Sequence, residues 1–218
     1  RENWNEIAST REGLNFIDRS LSDRIEDGEV SLNWAPAAMN ADDPNKIDAE
    51  SEETGEDVSE PLLKLDELLD QASKEFIIVS PYFVPMQAGV EWLADLEAKG
   101  IQVKVLTNSL ATNDIVAVHT GYEDYRRALI KAGVELHELK PITDEKPDQR
   151  LIGLSSPAQT SLHAKVFVID RKSAMIGSFN MDPRSIDLNT EAMLSINSPA
   201  IAGQLAGMFD EVSDIKSS

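Results

Sequence analysis

Seven residues between positions 163 and 191 have side chains or backbone that suit the binding and cleavage of a phosphate ester. They follow the spacing H-x-K-x4-D-x6-G-S-x-N with a later carboxylate, and they are His163, Lys165, Asp170, Gly177, Ser178, Asn180 and Glu191. A histidine can attack phosphorus or protonate a leaving alcohol, while a lysine, a hydroxyl and an amide stabilise charge on phosphoryl oxygens. The pattern therefore predicts phosphate-ester chemistry that requires no metal cluster.

The elements around these residues suggest how they are positioned. The apolar, β-branched run Val166–Ile169 predicts a β-strand that includes His163 and Lys165. Residues two apart on a strand point to the same face, so we expect the imidazole and the ammonium to lie side by side. The alternative is that both are ordinary surface residues of a strand.

The spacing resembles the HKD signature of the phospholipase D superfamily. The resemblance implies that His163 is the motif histidine, Lys165 the phosphate-binding lysine and Asp170 the motif aspartate. It implies further that Asn180 contacts phosphate beside Ser178. Asp170 follows an apolar run, and we expect it to fix the end of the strand more than to contact substrate.

By the same resemblance, Glu191 is the carboxylate that orients the imidazole. A carboxylate bonded to one ring nitrogen fixes the tautomer and leaves the other nitrogen facing phosphorus. We therefore predict that Glu191 lies within hydrogen-bond reach of His163. The alternative is an exposed glutamate at the start of a strand.

Two further histidines lie outside the motif. His119 follows a long polar stretch after a predicted strand, and loops at the carboxyl ends of strands commonly line the site. We predict that His119 lies close to substrate. His137 falls in an apolar strand pattern, which favours a core or edge position.

Composition limits the class of protein. With 218 residues, 41% of them hydrophobic, the chain is long enough for a globular domain with a substantial core. The absence of cysteine excludes a disulfide framework, a thiol nucleophile and a cysteine metal site, and we expect no metal or cofactor. No apolar run approaches the roughly 20 residues of a membrane span. Because the first residue is Arg1, we expect a piece of a longer protein.

The net charge is −19, from 39 acidic and 20 basic residues. Such a chain repels nucleic acid, whose binding requires neutralisation of phosphates by lysine and arginine, so no nucleic-acid partner is expected. The same charge disfavours adhesion of this piece to anionic lipid through a polybasic patch. The acidic excess has two alternative explanations, adaptation to high salt and sequence drift on a solvated surface, and the sequence leaves the choice between them open.

Apolar periodicity predicts an α/β fold with a mixed, largely parallel sheet flanked by helices on both faces. Strands are expected at 76–79, 103–106, 134–139, 163–169, 173–178 and 192–196, and helices from 59 and over 88–99, 122–132 and 199–212.

A leading segment, residues 1–60, is expected to pack on or join this domain, which spans 61–218 and holds a single motif. In that segment we predict an amphipathic helix over 14–25 and a strand through Val30, Leu32 and Trp34. Residues 41–60 contain nine acidic side chains and one lysine, so we predict a solvated loop there.

Several segments also resemble the C-terminal half of bacterial cardiolipin synthases. They are 78–85, 107–114, 119–122, 133–136 and 180–185, together with the stretch from Trp34 to Lys46. The resemblance implies an enzyme in which two HKD motifs face each other and a phosphohistidine forms. The second motif is then expected in a missing N-terminal part, and this piece alone is expected to be inactive.

In members with two motifs the N-terminal histidine is usually the nucleophile, so the resemblance favours His163 as the general acid, and the role of nucleophile stays the alternative. It implies a phospholipid substrate and a longer protein at the bacterial inner membrane surface, with this piece soluble. Phosphatidylglycerol, phosphatidylethanolamine and water all remain candidate acceptors. Two alternatives stay open: a single-motif phosphodiesterase, nuclease or phospholipase D, that completes its site as a homodimer with the two-fold axis near His163, and a non-catalytic binding half.

Overall fold

The computed structural model describes residues 21–28, 32–46, 59–110, 112, 116–139 and 162–214. The chain divides into two compact units, Arg1–Trp34 and Ala35–Ser218. The described part of the first unit contains helix α1, Leu21–Glu26. This helix overlaps the predicted one, of which residues 14–20 lie outside the described residues.

The second unit contains the remaining elements that the structure describes. In chain order they are β1 (Ala37–Ala41), α2 (Glu60–Leu69), β2 (Glu75–Val79), α3 (Met86–Ala98), β3 (Gln102–Asn108), α4 (Val116–Ala132), β4 (Glu135–Leu139), β5 (Val166–Ile169), β6 (Ser173–Gly177), α5 (Pro183–Asp187), β7 (Ala192–Asn197) and α6 (Pro199–Asp214).

The strand predicted through Val30, Leu32 and Trp34 is displaced. Val30 lies outside the described residues, and Leu32 and Trp34 belong to no strand. The paired strand β1 begins just after Pro36, whose carbonyl accepts the N–H of Asn197. Proline has no N–H to donate, so it stands at the entrance of the strand. Strand β1 thus belongs to the unit that holds the sheet.

Within the described residues the strands form one seven-stranded sheet in the order β1-β7-β6-β5-β2-β3-β4. The prediction of a mixed sheet in an α/β fold is confirmed, but the prediction that it is largely parallel is wrong. Only β2–β3 and β3–β4 pair in parallel, and the other four pairs are antiparallel. The connections explain the direction of these pairs. A helix joins each strand to its parallel neighbour, whereas a tight turn joins β5 to its antiparallel neighbour β6.

Helices cover both faces of the sheet, as predicted. Successive residues of β2 point to opposite faces, so Phe76 and Ile78 pack against α2, α3 and α4. Ile77 and Val79 pack on the other face against α6, through side chains such as Phe209. Both faces of β2 are therefore buried, which explains its uninterrupted apolar sequence.

The antiparallel arrangement of β5 beside β2 brings the two halves of the motif to opposite ends of the sheet. Val166, at the start of β5, pairs with Val79 at the end of β2. We call this side the Lys165 end, and it also holds the ends of β1, β3 and β6 and the start of β7. Asp170, which follows β5, lies at the other side, which we call the Asp170 end.

Candidate active site

The segment Leu162–Lys165 precedes strand β5 and is held by a side chain of β3. Asn108 is buried, its Oδ1 accepts the N–H of Leu162 at 2.9 Å, and its Nδ2 donates to the Leu162 carbonyl at 3.2 Å. The prediction that His163 and Lys165 lie on the strand itself is wrong, because β5 begins at Val166. An asparagine at the end of a buried strand was the sequence signal for this clamp.

His163 and Lys165 differ in exposure. The imidazole of His163 is exposed, whereas Lys165 is buried. The Lys165 ammonium donates to the backbone carbonyl of His163 at 2.8 Å. The lysine is thus fixed beneath the backbone that presents the imidazole, which keeps a positive charge next to the histidine.

Gly177 and Ser178 complete the turn between β6 and the next segment. A Cβ at Gly177 would overlap the carbonyl oxygen of Ala192, so only glycine permits this approach of the two strands. The Ser178 hydroxyl accepts the N–H of Ala192 at 3.0 Å while the residue stays exposed. Ser178 therefore lies at the Lys165 end with its hydroxyl partly engaged by the backbone, and its contact with phosphate stays a prediction.

Asn180 is buried and its side chain oxygen is left without a partner. Its backbone N–H donates to the Ser185 hydroxyl at 3.2 Å, but within the described residues Oδ1 has no hydrogen bond. A buried acceptor without a partner costs about 1–3 kcal/mol, so such a group marks a place where a ligand can bind. Rotation of the Asn180 amide group by a half-turn would place its N–H donors where Oδ1 lies. These donors suit a phosphate oxygen.

The short helix α5 follows Asn180 and supports it. Asp182 caps this helix, since its carboxylate accepts the N–H of Ser185 at 2.9 Å. Burial is the main cause that raises the pKa of Asp182 above its usual value, although the N–H groups of Ser185 and Arg184 act in the opposite direction. A single helical turn gives too short a periodic pattern for the sequence analysis to have predicted it.

Glu191 is buried, but it is not bonded to His163. Its carboxylate accepts the Ser185 hydroxyl at 2.8 Å and the Asn189 amide at 3.1 Å. The predicted hydrogen bond to the imidazole is not formed, because Glu191 precedes β7 and His163 precedes β5, with β6 between them. Two strand spacings separate those positions by about 10 Å. A role of Glu191 in the chemistry stays a prediction.

A buried ion pair that was not predicted from the sequence holds the backbone of Glu191 in place. The Lys46 ammonium bonds to Asp42 at 2.7 Å, and the two side chains are 4% and 1% exposed. The same ammonium donates to the carbonyls of Ser185 and Asn189, while the Asp42 carboxylate accepts the Glu191 N–H. The prediction that 41–60 is a solvated loop is wrong for these two residues, and 47–58 lie outside the described residues.

Asp170 occupies the opposite end of the sheet from Lys165. Its carboxylate accepts four hydrogen bonds, from the N–H groups of Ser73, Lys74 and Glu75 and from the Ser73 hydroxyl. Partial burial raises its pKa, but these bonds outweigh that effect, so the pKa of Asp170 lies below its usual value. The contacts agree with the expectation that Asp170 fixes the end of the strand.

His119 lies in the first turn of helix α4, and not in a loop. Its side chain is outside the described part of the structure, so its proximity to substrate stays a prediction. His137 is half-buried in β4, where its ring packs against Phe209 and bonds to Glu135 at 2.7 Å. These contacts confirm the structural interpretation of His137.

The described ranges contain no group of histidine and acidic side chains with the geometry of a metal site. Among the helices of the same ranges, none combines the length and the apolar character that crossing a membrane requires.

Comparison with known proteins places the chain in a family. Residues 65–213 match the family model described as the phospholipase D-like domain of cardiolipin synthase. Cardiolipin synthase C of Escherichia coli is 39% identical over 202 residues, which are 91% of this chain and 41% of that protein. The chain thus spans less than half the length of this relative.

Two solved structures share the fold. One is Nuc, a phospholipase D family member from Salmonella typhimurium, with a TM-score of 0.53 and 17% identity, over 82% of this chain and 94% of that one. The other is the phosphatidylserine synthase of Haemophilus influenzae, with a TM-score of 0.54 and 14% identity, over 84% and 40% of the two chains. Together with the matched family model and the arrangement at the Lys165 end, these findings show that the chain belongs to the cardiolipin synthase family with a phospholipase D-like domain.

Proposed function

We propose that this chain supplies one half of the active site of a phosphatidyl-transferring enzyme of the cardiolipin synthase type. The observation that carries the proposal is the Lys165 end, where an exposed imidazole lies above a buried ammonium and Asn180 keeps a buried oxygen without a partner. A phosphate bound there would pair with a positive charge and an amide, the groups that stabilise phosphoryl oxygens.

In the proposed reaction the second motif, from the longer protein, supplies the other histidine. That histidine attacks phosphorus and forms a phosphorus–nitrogen bond, while the glycerol oxygen leaves with a proton from His163. The hydroxyl of the acceptor lipid then attacks the phosphohistidine, loses its proton to His163, and breaks the phosphorus–nitrogen bond. Lys165 and Asn180 stabilise the charge on the phosphoryl oxygens in both steps.

The test compares two histidine variants in the longer protein that contains this chain. Phosphatidylglycerol is the substrate, and the products are measured by mass spectrometry. His163→Ala should lower phosphatidyl transfer by about 10²–10⁴-fold or more, the usual contribution of acid–base catalysis. His137→Gln is the matched control, because His137 packs against α6 away from the motif, and it should leave transfer unchanged.

Transfer by His163→Ala at the rate of the control would refute the proposal. The same protein is also assayed for cleavage of DNA and for release of phosphatidic acid in water. Cleavage of DNA that depends on His163 would favour the single-motif nuclease. Release of phosphatidic acid without transfer would favour hydrolysis.

A further inference from the structure

A groove with a volume of about 480 Å³ opens between helices α2 and α3 and the segment Met181–Asp187. Its lining is mainly apolar and includes Leu63, Met86, Trp92, Met181 and Ile186. This volume lies within the range of about 300–1,000 Å³ that is typical of small-molecule sites. The reaction derived above assigns no part to this groove.

The mouth of the groove exposes large apolar side chains to solvent. Leu63 and Met86 are 48% and 46% exposed, whereas Trp92 at the floor packs edge-to-face on the core residue Phe76 at 5.9 Å. Met86 also has a φ of 56°, a left-handed conformation that is strained for a residue with a side chain. Such strain is concentrated at ligand-binding segments. The groove is therefore a formed cavity with an apolar floor and an apolar mouth.

The groove begins where the candidate phosphate site ends. Met181, in its lining, is the residue after Asn180, so the Cα atoms of the two residues are about 3.8 Å apart. Met181 is held firmly, because its N–H donates to the Ser80 hydroxyl at 3.1 Å and its carbonyl accepts the Val84 N–H at 2.7 Å. The groove is thus within reach of a molecule whose phosphate lies at Asn180.

The charges of the groove exclude an anionic occupant. Asp66 and Asp187 are its charged residues, and among the described residues that line it there is no lysine or arginine. A nucleic-acid strand or a second phosphate would meet two carboxylates without a counter-charge. A hydrocarbon chain needs no polar partner and gains from the apolar floor.

We infer that this groove binds an acyl chain of the glycerophospholipid whose phosphate is held by Lys165 and Asn180. The inference rests on the proposed function, because it gives the lipid tail of that substrate a site on this chain. The groove therefore selects a lipid phosphodiester over a soluble one, and the mouth residues Leu63 and Met86 face the lipid from which the chain is drawn.

Trp92 lines the groove, so its fluorescence can report whether a lipid chain occupies the groove. In the 218-residue chain with Trp4→Phe and Trp34→Phe, Trp92 is the remaining tryptophan. The probe is phosphatidylglycerol brominated midway along one acyl chain, in dodecyl maltoside micelles, with the unbrominated lipid as reference. Bromine quenches tryptophan on contact, so the brominated lipid should quench Trp92 emission in a saturable manner.

A pair of variants on helix α3 tests the position of the lipid. Ala88→Phe fills the groove, whereas Ala98→Phe adds the same ring at an exposed position of the same helix outside the lining. Ala88→Phe should raise the lipid concentration for half-maximal quenching by about tenfold or more, since an overfilled site excludes the chain. Ala98→Phe should leave it unchanged, and urea unfolding verifies that both variants fold.

Equal quenching in the two variants, or none in the unmodified groove, overturns the inference. Light scattering identifies the other occupant: if Ala88→Phe separates a dimer while lipid never quenches Trp92, the groove is a contact between copies and the inference fails. Failure of the proposed function is a separate result. In that case His163→Ala would keep full phosphatidyl transfer in the longer protein while Trp92 would still be quenched in this chain.

Discussion

The polar side chains at the two ends of strand β5 differ in how fully their hydrogen bonds are made within the described residues. At the Asp170 end the carboxylate of Asp170 accepts four hydrogen bonds, and Arg171 bridges Glu75 to Asp210 with a two-point contact of 2.7 and 3.0 Å. At the Lys165 end the imidazole of His163 is exposed and the buried Oδ1 of Asn180 is unpartnered within the described residues.

The contrast separates the residues of one motif by what they do. Polar groups whose hydrogen bonds are all made within the chain stabilise the fold, whereas a buried group left unpaired is available to a ligand. His163, Lys165 and Asp170 are close in sequence, yet a strand that crosses the sheet places Asp170 with the first kind and leaves His163 and Lys165 at the other end. At that end the Oδ1 of Asn180, which has no partner among the described residues, belongs to the second kind. The signature of a family can therefore combine chemistry with scaffolding.

The largest effect is expected beneath the candidate site, at the buried pair of Lys46 and Asp42. Lys46→Met should lower the free energy of unfolding by about 3–5 kcal/mol, because it leaves the Asp42 carboxylate buried without its counter-charge. Lys64→Met is the control, since Lys64 forms an exposed pair with Glu67 on α2 that is worth about 0.3–0.5 kcal/mol. Urea unfolding measures both, and similar losses would show that the buried pair has no special part in the Lys165 end.

The second prediction separates activity from stability at Asn180. Asn180→Ala should lower phosphatidyl transfer by about 10²–10³-fold, the usual loss for one donor to a charged oxygen. The free energy of unfolding should not fall, because the substitution removes a buried atom that has no partner.

Asn197→Ala is the control at the Asp170 end, where the Asn197 side chain is exposed. It should change neither transfer nor stability. If Asn180→Ala destabilised the chain and left transfer intact, the assignment of this residue to substrate would be wrong.

The smallest effect is expected at Asp170, and it depends on pH. Asp170→Asn should lower the free energy of unfolding by about 1–3 kcal/mol at pH 7, because a neutral amide accepts fewer and weaker hydrogen bonds than the carboxylate. The pKa of Asp170 is lowered in the folded chain, so its contribution is present above the unfolded pKa of about 3.9 and is lost as pH falls through the folded value.

Urea unfolding is therefore measured at pH 7 and at pH 3. The difference in the free energy of unfolding between Asp170→Asn and the unmodified protein should be smaller at pH 3. Asp124→Asn, an exposed aspartate of α4, is the control and should show no such change. A loss of transfer in Asp170→Asn, with stability preserved, would reverse the comparison between the two ends of β5.

Local patterns in the sequence predicted most of the central elements. Strand β2 is buried on both faces, and its continuous apolar run Phe76–Val79 indicated this directly. The family resemblance came from residue types at fixed spacing and from several matching segments, and the family is confirmed. The direction of the strands was beyond such patterns, because an apolar run has the same composition in either direction.

Distant partners explain what the sequence could not provide. Nine acidic residues over 41–60 predicted solvation, but Lys46 and Asp42 bond to groups 139 to 149 positions away. The contact of Glu191 with Ser185 in place of His163 was equally hidden, because it depends on the order of the strands.

Strand β1 has a consequence for the order of folding. Strands β5, β6 and β7 are consecutive in the chain and can pair early, whereas the bond of Asp42 to Glu191 closes a loop of 149 positions. Strand β1 has one neighbour in the sheet, so it can detach at less cost than global unfolding. Such a local opening would remove Asp42 and Lys46 from beneath Glu191 while the other strands stay paired, and the site would be lost before the fold.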